Sequence, residues 1–168
     1  MKQNTLSDLK LFFSYFKPHK GLFILDMCCA ALIALVELAF PVLTRYPINE
    51  LLPGNLYKAF FSMIAFMAGI YMLHTIANYL VTYLGHLFGV KVESDMRRDL
   101  FAHVERQSYT FFDNNRTGHI MSRITHDLFE ITELAHHGPE DVFISVATLI
   151  GSFVIMLSIR WELAVIVF

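Results

Sequence analysis

Between Ala59 and Val90 the chain has no Asp, Glu, Lys or Arg. A helix needs about 20 consecutive, mainly apolar residues to cross a bilayer, so this absence of charge predicts a crossing. Charge is scarce overall, at 17%, while 55% of the 168 residues are apolar and the mean hydropathy is +0.50; soluble domains carry about 45–50% apolar residues. The 13 Lys and Arg are offset by 15 Asp and Glu, leaving a net charge of −2, and without a basic excess nucleic acid is not an expected partner. The two cysteines, Cys28 and Cys29, are adjacent; that placement disfavours a bridge between them and leaves no second pair for a disulfide framework. No short apolar core with a small-residue cleavage site opens the chain, since Leu6 to Phe16 comes first, and no cleaved signal is expected. A G-x-x-x-x-G-K-[ST] phosphate loop is also absent. No catalytic, cofactor or metal site is therefore expected in this chain, and no enzyme activity.

What is present is a series of apolar runs. Gly21 to Thr44 is long and aliphatic although Asp26 and Glu37 interrupt it, and Val142 to Ile159 is uncharged. These runs predict an all-α membrane protein, built of long transmembrane helices with a cytoplasmic helical-hairpin extension. Spans are expected at about residues 21–45, 57–90 and 139–159, with a fourth starting at 161 and too short by Phe168 to cross; the chain reads as a truncated piece. Basic residues accumulate on the cytoplasmic side. Lys2, Lys10, Lys17 and Lys20 precede the first span, and Lys91, Arg97, Arg98, Arg106, Arg116 and Arg123 separate the second from the third. Only Arg45, Lys58 and Arg160 lie opposite. The expectation is a multi-pass plasma-membrane protein with a cytoplasmic N-terminus. Pro47, Pro53 and Gly54 predict a short outer turn.

The stretch 91–138 keeps helical patterning despite its charge. Val92, Met96, Leu100 and Val104 recur at i+4, Glu93 and Asp95 are spaced to reach Arg97 and Arg98, and no Pro or Gly intervenes from Val90 to Phe112. The second span is thus predicted to continue unbroken for some twenty residues, roughly 30 Å beyond the membrane at about 1.5 Å per residue. Ile120, Ile124, Leu128, Ile131 and Ala135 predict a returning helix, with a turn across Phe111-Phe112-Asp113-Asn114-Asn115-Arg116-Thr117-Gly118. A plain connection would be shorter, so the hairpin reads as a docking device for a cytoplasmic partner.

Phe111-Phe112-Asp113, Gly118, Ser122-Arg123 and Asp127 form the pattern F-F-D-x4-G-x3-S-R-x3-D. With this topology, with Trp161-x-Leu163, and with Pro41 followed by Pro47-Ile48-Asn49, the chain resembles the transmembrane region of ATP-binding cassette (ABC) exporters; many members have Asp where this chain has Asn49. The resemblance implies a cytoplasmic N-terminus with an elbow helix over residues 1–20 and a partial exporter transmembrane domain over 21–168, without a nucleotide-binding domain. It further implies that the segment around Ser122 to Asp127 is a coupling helix resting on nucleotide-binding domains, with Phe111, Phe112, Asp113, Gly118, Ser122, Arg123 and Asp127 as coupling residues. The implied partners are the bilayer, a nucleotide-binding domain, a second transmembrane half in a dimer, and an exported substrate moved by alternating access. ATP and Mg would sit on the missing or partner nucleotide-binding domain, and no cofactor on this chain.

Read for their own chemistry, Asp113 can cap or turn-bond backbone N–H groups, Gly118 permits backbone conformations other residues resist, and Arg123 with Asp127 can pair at i,i+4; the same residues could simply shape a hairpin. Glu37 lies deep in a span, where an acid is costly and faces a cavity or a partner. With His74 or Asn78 it either lines a translocation pathway or makes a helix–helix hydrogen bond. Asp26 is placed to reach the interface or pair with Lys20. His136-His137-Gly138-Pro139-Glu140-Asp141 has metal-compatible side chains, but adjacent histidines on a helix diverge and no metal-site spacing is recognisable, so it reads as structural, with a kink at Gly138-Pro139 and Glu140 and Asp141 at the interface. Two functions stay open: part of an ATP-driven exporter, or a non-transporting membrane adaptor or remnant that docks a cytoplasmic partner.

Overall fold

The computed structural model describes residues 5–167. Among them, helices α1 (Thr5–Ser14), α2 (Lys20–Tyr46), α3 (Tyr57–Glu105), α4 (Tyr109–Asn114), α5 (Thr117–Ser122), α6 (Leu128–Ile159) and α7 (Trp161–Val167) are joined by short turns, with no strand. Leu9–Leu51, Tyr57–Glu105 and Thr117–Ile159 are each long and apolar enough to cross a membrane. The protein is an all-α membrane protein. Large apolar side chains such as Phe61, Phe66 and Met72 are exposed, which is unfavourable in water but not against acyl chains.

α3 ends at Glu105 and does not run on to Phe112. Gln107 terminates it by turning back, its backbone N–H donating to the Val104 carbonyl and its side-chain amide to the His103 carbonyl at 3.3 Å. Ser108 is then extended and precedes α4 without a side-chain capping bond. About 15 residues of α3 follow Val90, on the order of 22 Å rather than 30 Å. The turn after the first long helix, at 52–55, contains Pro53 and Gly54 as the sequence suggested, while Pro47 lies before it. Pro47 sits inside a π-helical turn, Pro47–Leu51, closed by Leu52 N–H to the Pro47 carbonyl at 3.0 Å. The left-handed residue of this turn is Asn55, with φ 54°, a conformation Asn tolerates better than most side chains. α6 runs continuously through Pro139.

The chain divides into two compact units. The first comprises residues 5–26 and 83–139. α1, a 3-10 turn at Lys17–His19 and the start of α2 dock on α3 through both polar and aromatic contacts. The Tyr15 hydroxyl donates to Asp99 at 3.0 Å, and His19 Nε2 meets Asp95 Oδ2 at 2.8 Å. Phe88 on α3 is 1% exposed, with the Phe16 and Phe23 ring centroids 4.9 and 5.5 Å away. Val92 is fully buried one turn later, but Leu100 is exposed, so the predicted stripe buries only its first member completely. On the returning side Ile124, Leu128 and Ala135 are buried as expected. Ile131 is exposed and Thr132 takes the buried position, its hydroxyl donating to the Leu128 and Phe129 carbonyls. The Glu93–Arg97 ion pair forms as the spacing predicted, and Asp95 also accepts from Arg98 at 2.7 Å.

The second unit comprises residues 27–82 and 140–167. Its core is small and aliphatic: Ala30 and Ile33 of α2 meet Ala77 and Val81 of α3, and Met27, Cys29, Leu32 and Ile144 pack around them. Alanine lets backbones approach closely, which is how helices gain packing energy in lipid. Glycine does the same on α6, where a Cβ on Gly151 would stand 2.3 Å from Leu38 Cδ1.

Candidate functional site

In the first unit the motif residues occupy two short helices. α4 carries Phe111, Phe112 and Asp113; the two phenylalanine rings are edge-to-face at 5.4 Å. Asparagine ends this helix, because the Asn114 and Asn115 amides donate to the Thr110 and Phe111 carbonyls at 2.9 and 2.8 Å and so satisfy carbonyls that a helix end leaves free. Asn115 and Arg116 are extended, and α5 starts at Thr117. The predicted turn across Phe111 to Gly118 is therefore two helical turns flanking a two-residue break. Asp113 lies within α4, where no side-chain cap forms. Gly118 lies within α5 at negative φ with open space around its Cα, so its freedom is not used for a left-handed turn here. After Ser122 the backbone widens into a π-helical turn, Arg123–Asp127, where the sequence suggested an ordinary helix. Arg123 Nε and Asp127 Oδ2 are 4.0 Å apart with side chains 69% and 60% exposed. Such a pair contributes about 0.3–0.5 kcal/mol, so Arg123→Ala with Asp127→Ala should lower unfolding stability by no more than that. Thermal unfolding in detergent checks this, and a loss above ~1 kcal/mol would mean these residues do more for the fold than the pair accounts for. The anchor of this segment is Ile124, 5% exposed, while Tyr109 at its start is 92% exposed.

In the second unit the structure brings together the three polar residues expected of a pathway. Glu37 Oε1 is 3.8 Å from His74 Nε2, and the Asn78 amide lies 3.3 Å from the His74 ring and donates to the His74 carbonyl at 3.1 Å. Tyr71 stacks on His74 with a centroid separation of 5.5 Å, and Phe40 approaches Tyr71 at 5.8 Å. Pro41 has no N–H, so the Glu37 carbonyl lacks its helical donor and adds an acceptor beside the carboxylate. Glu37 borders a cavity of about 260 Å³ with Phe40, Pro41, Tyr71 and His74, and another of about 430 Å³ with Ser145, Thr148 and Ser152. Such a lining can hydrogen-bond a polar group and pair with a cation, while its aromatic wall takes apolar surface.

Asp26 departs from its expected pairing. It is 2% exposed, no ion pair with Lys20 forms, and its Oδ1 has no hydrogen-bond partner among the described residues. His86 joins His136 and His137, all three in the first unit. Adjacent histidines were expected to diverge, yet the rings of His136 and His137 are 4.1 Å apart between centroids. Nothing in the spacing of residue 86 from 136 could have signalled this, because only the packing of α6 on α3 makes them neighbours. Glu140, expected at the interface, is 9% exposed, while Asp141 is exposed.

Comparison with known proteins accounts for this architecture. Residues 23–168 match the model of the ABC transporter transmembrane region. The chain is 46% identical over 160 residues, 95% of its length, to the uncharacterized ABC transporter ATP-binding protein YwjA of Bacillus subtilis. It is 30% identical over 166 residues, 98% of its length, to the ATP-dependent lipid A-core flippase of Haemophilus influenzae. It spans 28% of the length of each. A helical membrane protein with this pattern of long and short helices, matched over most of its length, belongs to the family of ABC transporter transmembrane regions.

Proposed function

We propose that this chain contributes part of the transmembrane domain of an ATP-driven exporter and couples it to nucleotide-binding domains. The observation that carries the reading is the α4–α5 tip. It holds its backbone by asparagine bonds and by one buried residue, Ile124, and turns Tyr109, Asp113, Arg123 and Asp127 to solvent. Exposed aromatic and charged groups on a locally rigid tip suit a polar, transient docking contact. The partner is a nucleotide-binding domain that holds ATP and Mg, together with a second transmembrane half, and ATP hydrolysis belongs to that partner. α3 and α6 contribute residues to both units, so a push at the tip has continuous helices to act on. Glu37, His74 and Asn78 line the route taken by the exported substrate. The similarity to a protein named as a lipid A-core flippase supports an exporter. The tip is cytoplasmic, as is the N-terminus, in the plasma membrane.

The test uses the full-length protein in proteoliposomes. Arg123→Ala with Asp127→Ala should lower substrate export by roughly tenfold, a coupling loss of about 1.4 kcal/mol, while ATPase rate and melting temperature stay near wild type. Export at the wild-type level would remove these two residues from coupling. Orientation is read separately, in a Cys28→Ser, Cys29→Ser background. A cysteine placed by Asn115→Cys should resist an impermeant maleimide added to intact cells and react after permeabilisation, and labelling from outside would invert the topology.

A further inference from the structure

Among the described residues, two buried side-chain polar atoms have no hydrogen-bond partner, Asp26 Oδ1 and His136 Nε2. Both belong to the first unit. Orphaned buried acceptors are rare because each forfeits its hydration without replacement, and the chemistry surrounding His136 identifies what would satisfy its free nitrogen. His136 is 2% exposed, and its Nδ1 lies 3.2 Å from the Thr132 carbonyl. A carbonyl only accepts, so Nδ1 carries the proton and the lone pair is on Nε2. Metal-binding histidines are held in this way, with one ring N–H donated to a backbone oxygen and the other nitrogen free.

The neighbours supply further nitrogen donors. One ring nitrogen from each of His86, His136 and His137 lies within 4.8 Å of the others. Ring centroids are 4.9 Å apart for His86 and His136, 5.7 Å for His86 and His137, and 4.1 Å for His136 and His137. His137 Nε2 faces Glu133 at 3.7 Å, which leaves its Nδ1 for a ligand. Gly89 on α3 makes the approach possible, since a Cβ there would stand 2.9 Å from His136 Nδ1. His86 and His137 are exposed, giving an ion a way in.

We propose that His86, His136 and His137 bind one divalent transition-metal ion of the Zn²⁺ class, with a solvent molecule completing its coordination. Three imidazoles select such an ion over Mg²⁺ or Ca²⁺, which prefer oxygen. Tetrahedral ligands about 2.0–2.1 Å from Zn²⁺ are roughly 3.3–3.4 Å apart, so closure requires a small rotation of the exposed His86 and His137 rings around a fixed His136. The ligands come from α3 and α6, and the bound ion clasps these two helices together.

The full-length protein, purified without a polyhistidine tag and stripped of metal, is titrated with ZnCl₂ against a chromogenic chelator. One Zn²⁺ per chain is expected. His86→Gln with His137→Gln, both at exposed positions, should weaken binding at least tenfold. Zn²⁺ but not Mg²⁺ should raise the melting temperature of the wild type and leave that of the double variant unchanged. Co²⁺ substitution should produce the intense visible bands of a tetrahedral site. Equal Zn²⁺ affinity in wild type and double variant would assign the binding to other histidines and overturn the proposal, as would a wild-type melting temperature indifferent to Zn²⁺.

Discussion

Phe88→Ala is expected to destabilise the protein by about 3 kcal/mol, at the lower end of the 3–5 kcal/mol typical of a buried Phe cut to Ala. Phe88 is 1% exposed and is the ring on α3 that both Phe16 and Phe23 meet. Removing it leaves a cavity facing two rings and loosens the docking of the α1–α2 corner at once. The low end applies because Phe88 lies at the end of a membrane-crossing run. There the alternative to helix packing is partly lipid rather than water, so the transfer contribution shrinks and the packing contribution remains. Phe66→Ala is the control, since Phe66 is 58% exposed and a change there should stay within about 0.5 kcal/mol. Thermal unfolding of both variants in one detergent decides the matter: equal melting temperatures would show that the aromatic cluster does not hold this corner.

The second large effect is expected at Gly151. A Cβ there would meet Leu38 Cδ1 at 2.3 Å, Cδ2 at 3.0 Å and Cγ at 3.2 Å. Leu38 borders two cavities, of about 430 and 270 Å³, so its end can swing aside for a single methyl. The higher helix propensity of Ala, roughly 1 kcal/mol over Gly, offsets part of what remains, and Gly151→Ala should be nearly neutral. Gly151→Val adds two methyl groups to Ala at a fixed rotamer, leaves Leu38 too little room, and should cost about 1–3 kcal/mol by overpacking. Adding Leu38→Ala to Gly151→Val should restore most of that loss, and a double variant no more stable than Gly151→Val would place the strain elsewhere.

These two sites show what the chain's order of residues conveys and what it withholds. The charge-free run from Ala59 to Val90, the i,i+4 spacing of Glu93 with Arg97 and of Arg123 with Asp127, and the grouping of Glu37 with His74 and Asn78 were all legible. Each depends on local periodicity or on the cost of charge in lipid, neither of which needs the fold to be known. The break after Glu105 was misread because Gln107 and Ser108 are tolerated inside helices as well as at their ends, and choosing between those uses depends on neighbouring contacts. Gly118 was read for a turn it does not make, whereas Gly89 and Gly151, unremarked in the sequence, are the glycines whose missing side chains matter.

By itself the sequence determined that the protein is a helical membrane protein, where its long helices lie, and which pattern links its tip to the ABC transporter transmembrane family. Composition and period suffice for those conclusions, because a bilayer admits few backbone solutions. Tertiary structure alone decided which side chains from distant positions share a space: Phe88 with Phe16 and Phe23, Gly151 with Leu38, and His86 with His136 and His137. Those neighbourhoods arise from rotation and depth of one helix against another, and a displacement of one residue along either helix turns a side chain by about 100° and dissolves the contact.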